Sequence, residues 1–377
     1  SRDKAAAKPW PGLSAISKTK DFAGHLSPDR KYLSYTRSTV TQPPQTCVLN
    51  LASGSERVIE EADISALLAA GYVPPEEFVT LAADGKTEIH GLLYRPHHLP
   101  AGAKAPVMVA QYASPLMAAT PRGYLMAAMG FGQTIAPAAN AALGYAVIYL
   151  DARGTTGRSR AFATAGQERL NLIGLDDYAA AIRQLGERHE WLDATRVGIH
   201  GGSYGGFTAV RAMIELPDVF TAAIANAPMS SVHHMYPDIH WTGWHGKPDY
   251  GNGSDLRPDA TAKPQNYTNM DATAQVERIK GPLLIIAGEL DENCPLPPIM
   301  QFYAAASEAD APVELMVLPN RNHYTLARMR QEFESRPQRD EALALLPLDE
   351  PFTPFALPVS DQPRVSVIIP VHGKLAY

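Results

Sequence analysis

Ser203, Asp291 and His323 occur in that order along the chain, and each follows an apolar run. Ser203 lies in Gly201-Gly202-Ser203-Tyr204-Gly205-Gly206, directly after Val197-Gly198-Ile199-His200. This is a GxSxG pattern, in which a serine is presented on a sharp strand-to-helix turn and glycines clear the space around it. A serine hydroxyl is a poor nucleophile until an imidazole takes its proton. The imidazole in turn needs a carboxylate to fix its tautomer and favour its charged form. Acyl transfer is therefore the chemistry this set of residues could perform. GxSxG also occurs in ordinary glycine-rich turns, so the motif alone leaves a structural reading open.

The partners have rivals. Glu289 and Glu292 flank Asp291, which could instead cap a helix beginning near Pro295. His323 is one of 12 histidines, but it combines a late position with a loop that follows a strand candidate. An acyl-transfer site also needs donors for the developing oxyanion. The backbone N–H of Tyr204, at the start of the helix after the serine, is one candidate, helped by the helix dipole. Tyr112, at the end of the strand candidate 107–112, is the second. Its phenol either reaches over the serine turn or packs in the core.

Positioning these groups requires a scaffold. Apolar runs at 107–112, 146–150, 197–199, 222–225, 283–287 and 313–317 read as strands, with helical patterns at 175–187 and 207–215. Near-continuous apolar strands alternating with helices predict a doubly wound, mostly parallel sheet covered on both faces. Functional groups then collect at the carboxyl ends of its strands. The order nucleophile, acid, histidine is that of the α/β-hydrolase architecture and differs from trypsin-like and subtilisin-like orders. Ahead of this region, about 21–58 reads as short antiparallel strands, 62–70 as a helical linker, and 78–81 with 89–94 as a hairpin turned at Asp84-Gly85. The expected division is 1–73 for the small β segment and linker, 74–345 for the α/β domain, and 346–377 for an irregular proline-rich tail.

Composition limits the alternatives. The chain has 377 residues, 45% of them apolar, enough to bury a full core. A net charge of −6 argues against a nucleic-acid or membrane-surface binder, since no basic excess exists to neutralise phosphates. No apolar run is long enough to cross a bilayer, and the first residues lack the apolar core of a secretion signal. The compartment, cytoplasmic or periplasmic and secreted, stays open, and nothing excludes a homo-oligomer. The two cysteines, Cys47 and Cys294, have no metal-ligand spacing and read as independent thiols. His233, His234, His240 and His245 lack the HExxH pattern, so no metal and no cofactor is expected.

Several motifs in sequence resemble the prolyl oligopeptidase family of serine peptidases, in particular its dipeptidyl-peptidase-like branch. They are SPDRKY (27–32), Asp84-Gly85 with GLLYRP (91–96), GYAVIYLDARGTTG (144–157), GSYGG (202–206), Ala227-Pro228 and GELDEN (288–293). The resemblance implies Ser203 as nucleophile, Asp291 and His323 as its partners and Tyr112 as the side-chain oxyanion donor. It places Asn293 where a substrate carbonyl is bound, and Tyr236 and Trp241 where aromatic residues line the acyl-side pocket. Arg153 matches an arginine whose role is either substrate contact or a structural salt bridge. Short peptides are the implied substrates, with no metal or cofactor.

Departures are visible too. The elbow reads Gly-Gly-Ser where the family commonly has tryptophan before the serine, and Ala-Ser-Pro follows Tyr112 in place of a glycine pair. The N-terminal strands resemble only the end of the family's gating β-propeller, so amino-terminal dipeptide selectivity is not legible. RVSVIIPVHGK (364–374) resembles the opening strand of nucleotide-sugar glycosyltransferases. Two further readings stand beside the peptidase: a carboxylesterase on the same fold, and a non-catalytic fragment acting as a binding module.

Overall fold

The computed structural model describes residues 21–112, 118–129, 136–166, 172–230 and 271–325. Two sheets organise them. The first is an antiparallel meander of four strands in the order β1 (Asp21–Leu26), β2 (Tyr32–Ser38), β3 (Gln45–Asn50) and β4 (Glu56–Glu61). Its SPDR segment forms the turn between β1 and β2, where Arg30 takes a positive φ of 56°. Tyr35, Cys47, Leu49 and Leu51 bury one face, whereas Val58 and Ile59 on β4 are exposed. A sheet with an apolar face buries it against another element, and this sheet docks. Val40 joins a core cluster with Leu92, Tyr94 and Ala110 of the larger unit, and the Ser38 hydroxyl accepts the Tyr124 N–H at 3.0 Å. The linker helix shrinks to Ser65–Ala69, which buries no residue.

The second sheet has eight strands: β5 (Glu76–Leu81), β6 (Glu88–Tyr94), β7 (Ala105–Ala110), β8 (Ala146–Leu150), β9 (Leu192–Gly202), β10 (Ala222–Asn226), β11 (Leu283–Gly288) and β12 (Val313–Leu318). Their spatial order is β12-β11-β10-β9-β7-β8-β6-β5. β5 and β6 form the expected hairpin, β6 pairs antiparallel with β8, and the other neighbours are parallel. All five residues of β8 are buried, the signature of a strand covered on both faces. The covering helix Ile173–Arg188 buries Leu175, Tyr178, Ile182 and Leu185, one stripe at helical spacing, and starts and ends with Asp176 and Arg188 against its dipole. Each such fully buried aliphatic side chain contributes roughly 1.5–3 kcal/mol.

The topology creates a crevice. From β7 the chain crosses to β8 on one side, and β9 then pairs on the other side of β7. At such a reversal, loops leaving adjacent parallel strands splay apart and leave room for a ligand. The loop after β7 carries Tyr112, and the turn after β9 carries Ser203. Tyr112 therefore lies two residues beyond its strand rather than ending it.

Candidate active site

Ser203 adopts φ 59° and ψ −120°, strained for a residue with a side chain, and immediately precedes the helix Tyr204–Glu215. Two tight approaches explain the glycines around it. A Cβ on Gly201 would lie 2.4 Å from the Gln111 carbonyl oxygen, and one on Gly205 would lie 2.2 Å from the same atom. The chain after β7 thus runs directly against the elbow, which only glycine permits. The Ser203 N–H donates to the Asn226 carbonyl at 2.9 Å, anchoring the turn to the end of β10.

His323 and Asp291 meet on the loops after β12 and β11. The imidazole Nδ1 lies 3.0 Å from Asp291 Oδ1 and 2.9 Å from Oδ2, with both residues buried. A carboxylate on Nδ1 assigns the proton there and leaves Nε2 as the basic nitrogen. Backbone bonds stitch the two loops together: Glu289 N–H donates to Leu318 O at 3.1 Å and Leu290 N–H to Arg321 O at 2.8 Å. Asp291 also closes its own turn, because Oδ1 accepts the N–H groups of Asn293 at 2.9 Å and Cys294 at 2.7 Å. Glu289 is directed elsewhere, accepting the Asn320 N–H at 2.9 Å, and Glu292 is exposed.

Tyr112 joins this group. Its phenol lies close enough to the Ser203 side chain for the two to interact, and burial raises its pKa, so the phenol holds its proton and can donate. Tyr204 opens the helix; the N–H groups of a helix's first turn face its N-terminus, where the dipole favours an anion. Cys294 is buried beside Asp291, and burial pushes its thiol pKa far up, which keeps it protonated. Cys47 is a buried free thiol as well.

The remaining expectations divide. Asn293 is exposed on the turn beside Asp291. Arg153 takes up the salt-bridge role: Nε and Nη2 engage Asp177 at 2.7–3.1 Å, and Nη1 reaches Asp84 at 2.9 Å. Asp177 also accepts the Ala83 N–H, so the network clamps the β5–β6 turn onto the helix Ile173–Arg188. Tyr236, Trp241, the histidines at 233, 234, 240 and 245, and the glycosyltransferase-like tail segment lie outside the described residues. A cavity of about 480 Å³, lined by residues including His90, Arg122, Asp151 and Arg158, sits across the end of β8 and touches none of Ser203, Asp291 or His323.

Sequence reasoning passed over two residues at the site. Asn226 is a polar residue closing the otherwise apolar strand β10, and Thr325 follows His323 by two positions. The Thr325 hydroxyl donates to Asn226 Oδ1 at 2.6 Å, and both are buried. An asparagine ending an Ala-Ala-Ile-Ala run, where the core wants no amide, was the signal available.

Among the described residues no helix is long and apolar enough to cross a membrane. Human dipeptidyl peptidase 8 is 29% identical to this chain over 255 residues, covering 67% of the chain and 26% of that protein. The mouse acylamino-acid-releasing enzyme is 25% identical over 321 residues, 82% of the chain and 42% of its own length. The chain thus spans less than half the length of these curated relatives. Among solved structures, Porphyromonas gingivalis dipeptidyl peptidase 4 matches with a TM-score of 0.65 at 23% identity, covering 83% of this chain and 43% of that one. Pyrococcus horikoshii acylaminoacyl peptidase matches with a TM-score of 0.63 at 23% identity, covering 79% and 45%. These structures share the fold, an α/β-hydrolase sheet. The profile of the Prolyl oligopeptidase family matches residues 131–339, more than half of the chain and a span that holds Ser203, Asp291 and His323. The chain therefore belongs to the prolyl oligopeptidase family.

Proposed function

We propose that this chain is the catalytic part of a serine peptidase that hydrolyses short peptides through an acyl-enzyme formed on Ser203. The observation that carries the reading is the His323–Asp291 pair on the loops of β12 and β11, set at the same sheet end as the strained Ser203 elbow. His323 Nε2 takes the hydroxyl proton as Ser203 attacks the scissile carbonyl. Asp291 keeps the other imidazole proton in place and stabilises the imidazolium that results. The Tyr112 phenol and the Tyr204 N–H hold the oxyanion of the tetrahedral intermediate. His323 then protonates the leaving amine, and water repeats the sequence on the ester. The family membership and the named peptidase relatives favour amide over ester substrates, and the 74–345 region is the catalytic domain in this reading.

Two measurements test it. A fluorophosphonate probe should label the chain, and Ser203→Ala should abolish the label; labelling that survives the substitution refutes Ser203 as nucleophile. Peptide anilides, proline-containing ones included, should be turned over alongside short acyl esters. Ester cleavage with no amide cleavage would move the chain to the carboxylesterases.

A further inference from the structure

The site is assembled from two halves. Ser203 belongs to the β9–β10 half through the bond of its N–H to the Asn226 carbonyl. Asp291 and His323 belong to the β11–β12 half, stitched by their own loop bonds. Transfer of a proton from the hydroxyl to Nε2 depends on the spacing between these halves, and the histidine rides on a loop rather than on a strand. A fixed spacing therefore requires a tie close to both groups.

We propose that Asn226 and Thr325 form this tie, as a positioning brace that sets His323 against Ser203. Asn226 is bifunctional: its main-chain carbonyl accepts the nucleophile's own N–H at 2.9 Å, while its side-chain oxygen accepts the Thr325 hydroxyl at 2.6 Å. Thr325 is two residues from the imidazole, so the path from the nucleophile's backbone to the histidine segment runs through a single residue. Asn226 and Thr325 are 1% and 0% exposed, so water does not compete for the bond, and a buried hydroxyl–amide bond is strong enough to hold a loop. The next residue, Ala227, donates its N–H to Ile286 O and adopts φ 44°, which fixes the strand end from which the Asn226 side chain departs. Neither Asn226 nor Thr325 exchanges a proton with substrate. Their effect is on distance, and small misplacements of a reacting pair are expensive in rate.

The brace rests on the proposed triad, and the experiment separates the two. Thr325→Val keeps the shape and deletes the hydroxyl, whereas Thr325→Ser keeps the hydroxyl. For each variant, kcat and KM on a peptide anilide, the rate constant for fluorophosphonate labelling and the melting temperature are measured. Thr325→Val should lower kcat and the labelling rate together, by roughly 10- to 100-fold, with KM changed less than about two-fold. Thr325→Ser should recover most of the rate. A purely structural role would lower the melting temperature and leave kcat of the folded fraction intact; that outcome, or a serine variant as slow as the valine one, overturns the brace. Labelling of Thr325→Val at the wild-type rate overturns it as well. A wild-type chain that is never labelled at Ser203 overturns the triad, and the brace with it.

Discussion

Replacing Asp291 by asparagine removes one charge and adds one hydrogen-bond donor in a place where every acceptor is in use. Oδ1 accepts two backbone N–H groups, at 2.9 and 2.7 Å, and both oxygens lie within 3.0 Å of His323 Nδ1. In Asp291→Asn the carbonyl oxygen must stay on the backbone side, because turning the amide over would face its hydrogens with two N–H groups. Leaving those two unsatisfied costs about 1–3 kcal/mol each. The amide nitrogen then takes the Oδ2 position, 2.9 Å from Nδ1. A donor there opposes the Nδ1 proton, which keeps only the 3.0 Å contact to the retained carbonyl oxygen, and this favours the tautomer protonated on Nε2. An Nε2–H imidazole cannot accept the serine proton. Loss of the correct tautomer together with the stabilising charge lowers kcat by about 10⁴-fold in a triad of this kind, equivalent to about 5 kcal/mol of barrier. The turn keeps both of its backbone bonds, so the melting temperature should move by only a few degrees. The assay is kcat on a peptide anilide with wild-type and variant protein matched by circular dichroism. A folded Asp291→Asn variant within ten-fold of wild type would refute Asp291 as the orienting acid and return attention to Glu289 and Glu292.

Other expectations follow from the same geometry. Tyr112→Phe removes the phenolic donor beside Ser203 and should reduce turnover by roughly 10²-fold, with the fold intact; unchanged turnover would exclude the phenol from the oxyanion site. Arg153→Met strands the carboxylate of Asp177, whose side chain is fully buried, and should cost about 3–5 kcal/mol in chemical denaturation, with kcat/KM of the folded protein unchanged. A raised KM at wild-type stability would instead make Arg153 a substrate contact. His200, buried in β9 with Nε2 accepting from the Asn140 amide at 3.0 Å, has its pKa lowered by burial to about 4. It is neutral in the fold but takes a proton in the unfolded chain below about pH 6.5, so stability is full above 6.5 and falls by about 3 kcal/mol as the pH drops to 4. Urea midpoints for wild type and His200→Gln across that window should converge in acid, and parallel curves would disprove the assignment.

How far the site was legible follows from what each residue needs locally. The Ser203 elbow is encoded by neighbours: glycines at 201 and 205 are required by the Gln111 backbone, and the apolar run before them can only be a buried strand. Chain order and strand ends then sufficed to place Asp291 and His323 on one sheet end. Strand bounds were less legible. β9 extends from Leu192, well before the apolar run at 197–199, because Leu192 and Asp193 pair with β7 beyond the span that β10 covers, across a register shift at which Thr195 and Arg196 are exposed. The role of Arg153 was undecided in the sequence, since nothing there reveals that Asp177, 24 positions on, is buried beneath it. Asn226 and Thr325 are 99 positions apart, and a pairing of that range exists only through the fold.

Asp291 serves its own backbone and the histidine with one carboxylate. The sequence left open an aspartate that caps a helix near Pro295, but the helix Leu296–Glu308 has Pro295 at its N-cap and no side-chain cap, and the carboxylate instead closes its own turn while lying against His323. The two tasks are mechanically linked. An aspartate side chain is short enough for one oxygen to accept N–H groups two and three residues ahead, and that closure fixes the carboxylate plane. With the plane fixed, the second oxygen has one direction left, toward Nδ1 of His323. The longer side chains of Glu289 and Glu292 lack this local closure; Glu289 spends its carboxylate on the Asn320 N–H instead, steadying the loop that carries the histidine. A carboxylate held only by its imidazole would have to be ordered in each catalytic cycle, with an entropic cost at the moment of proton transfer. One held by its own backbone is ordered when the chain folds, so this turn is what would preorganise the acid of the proposed triad.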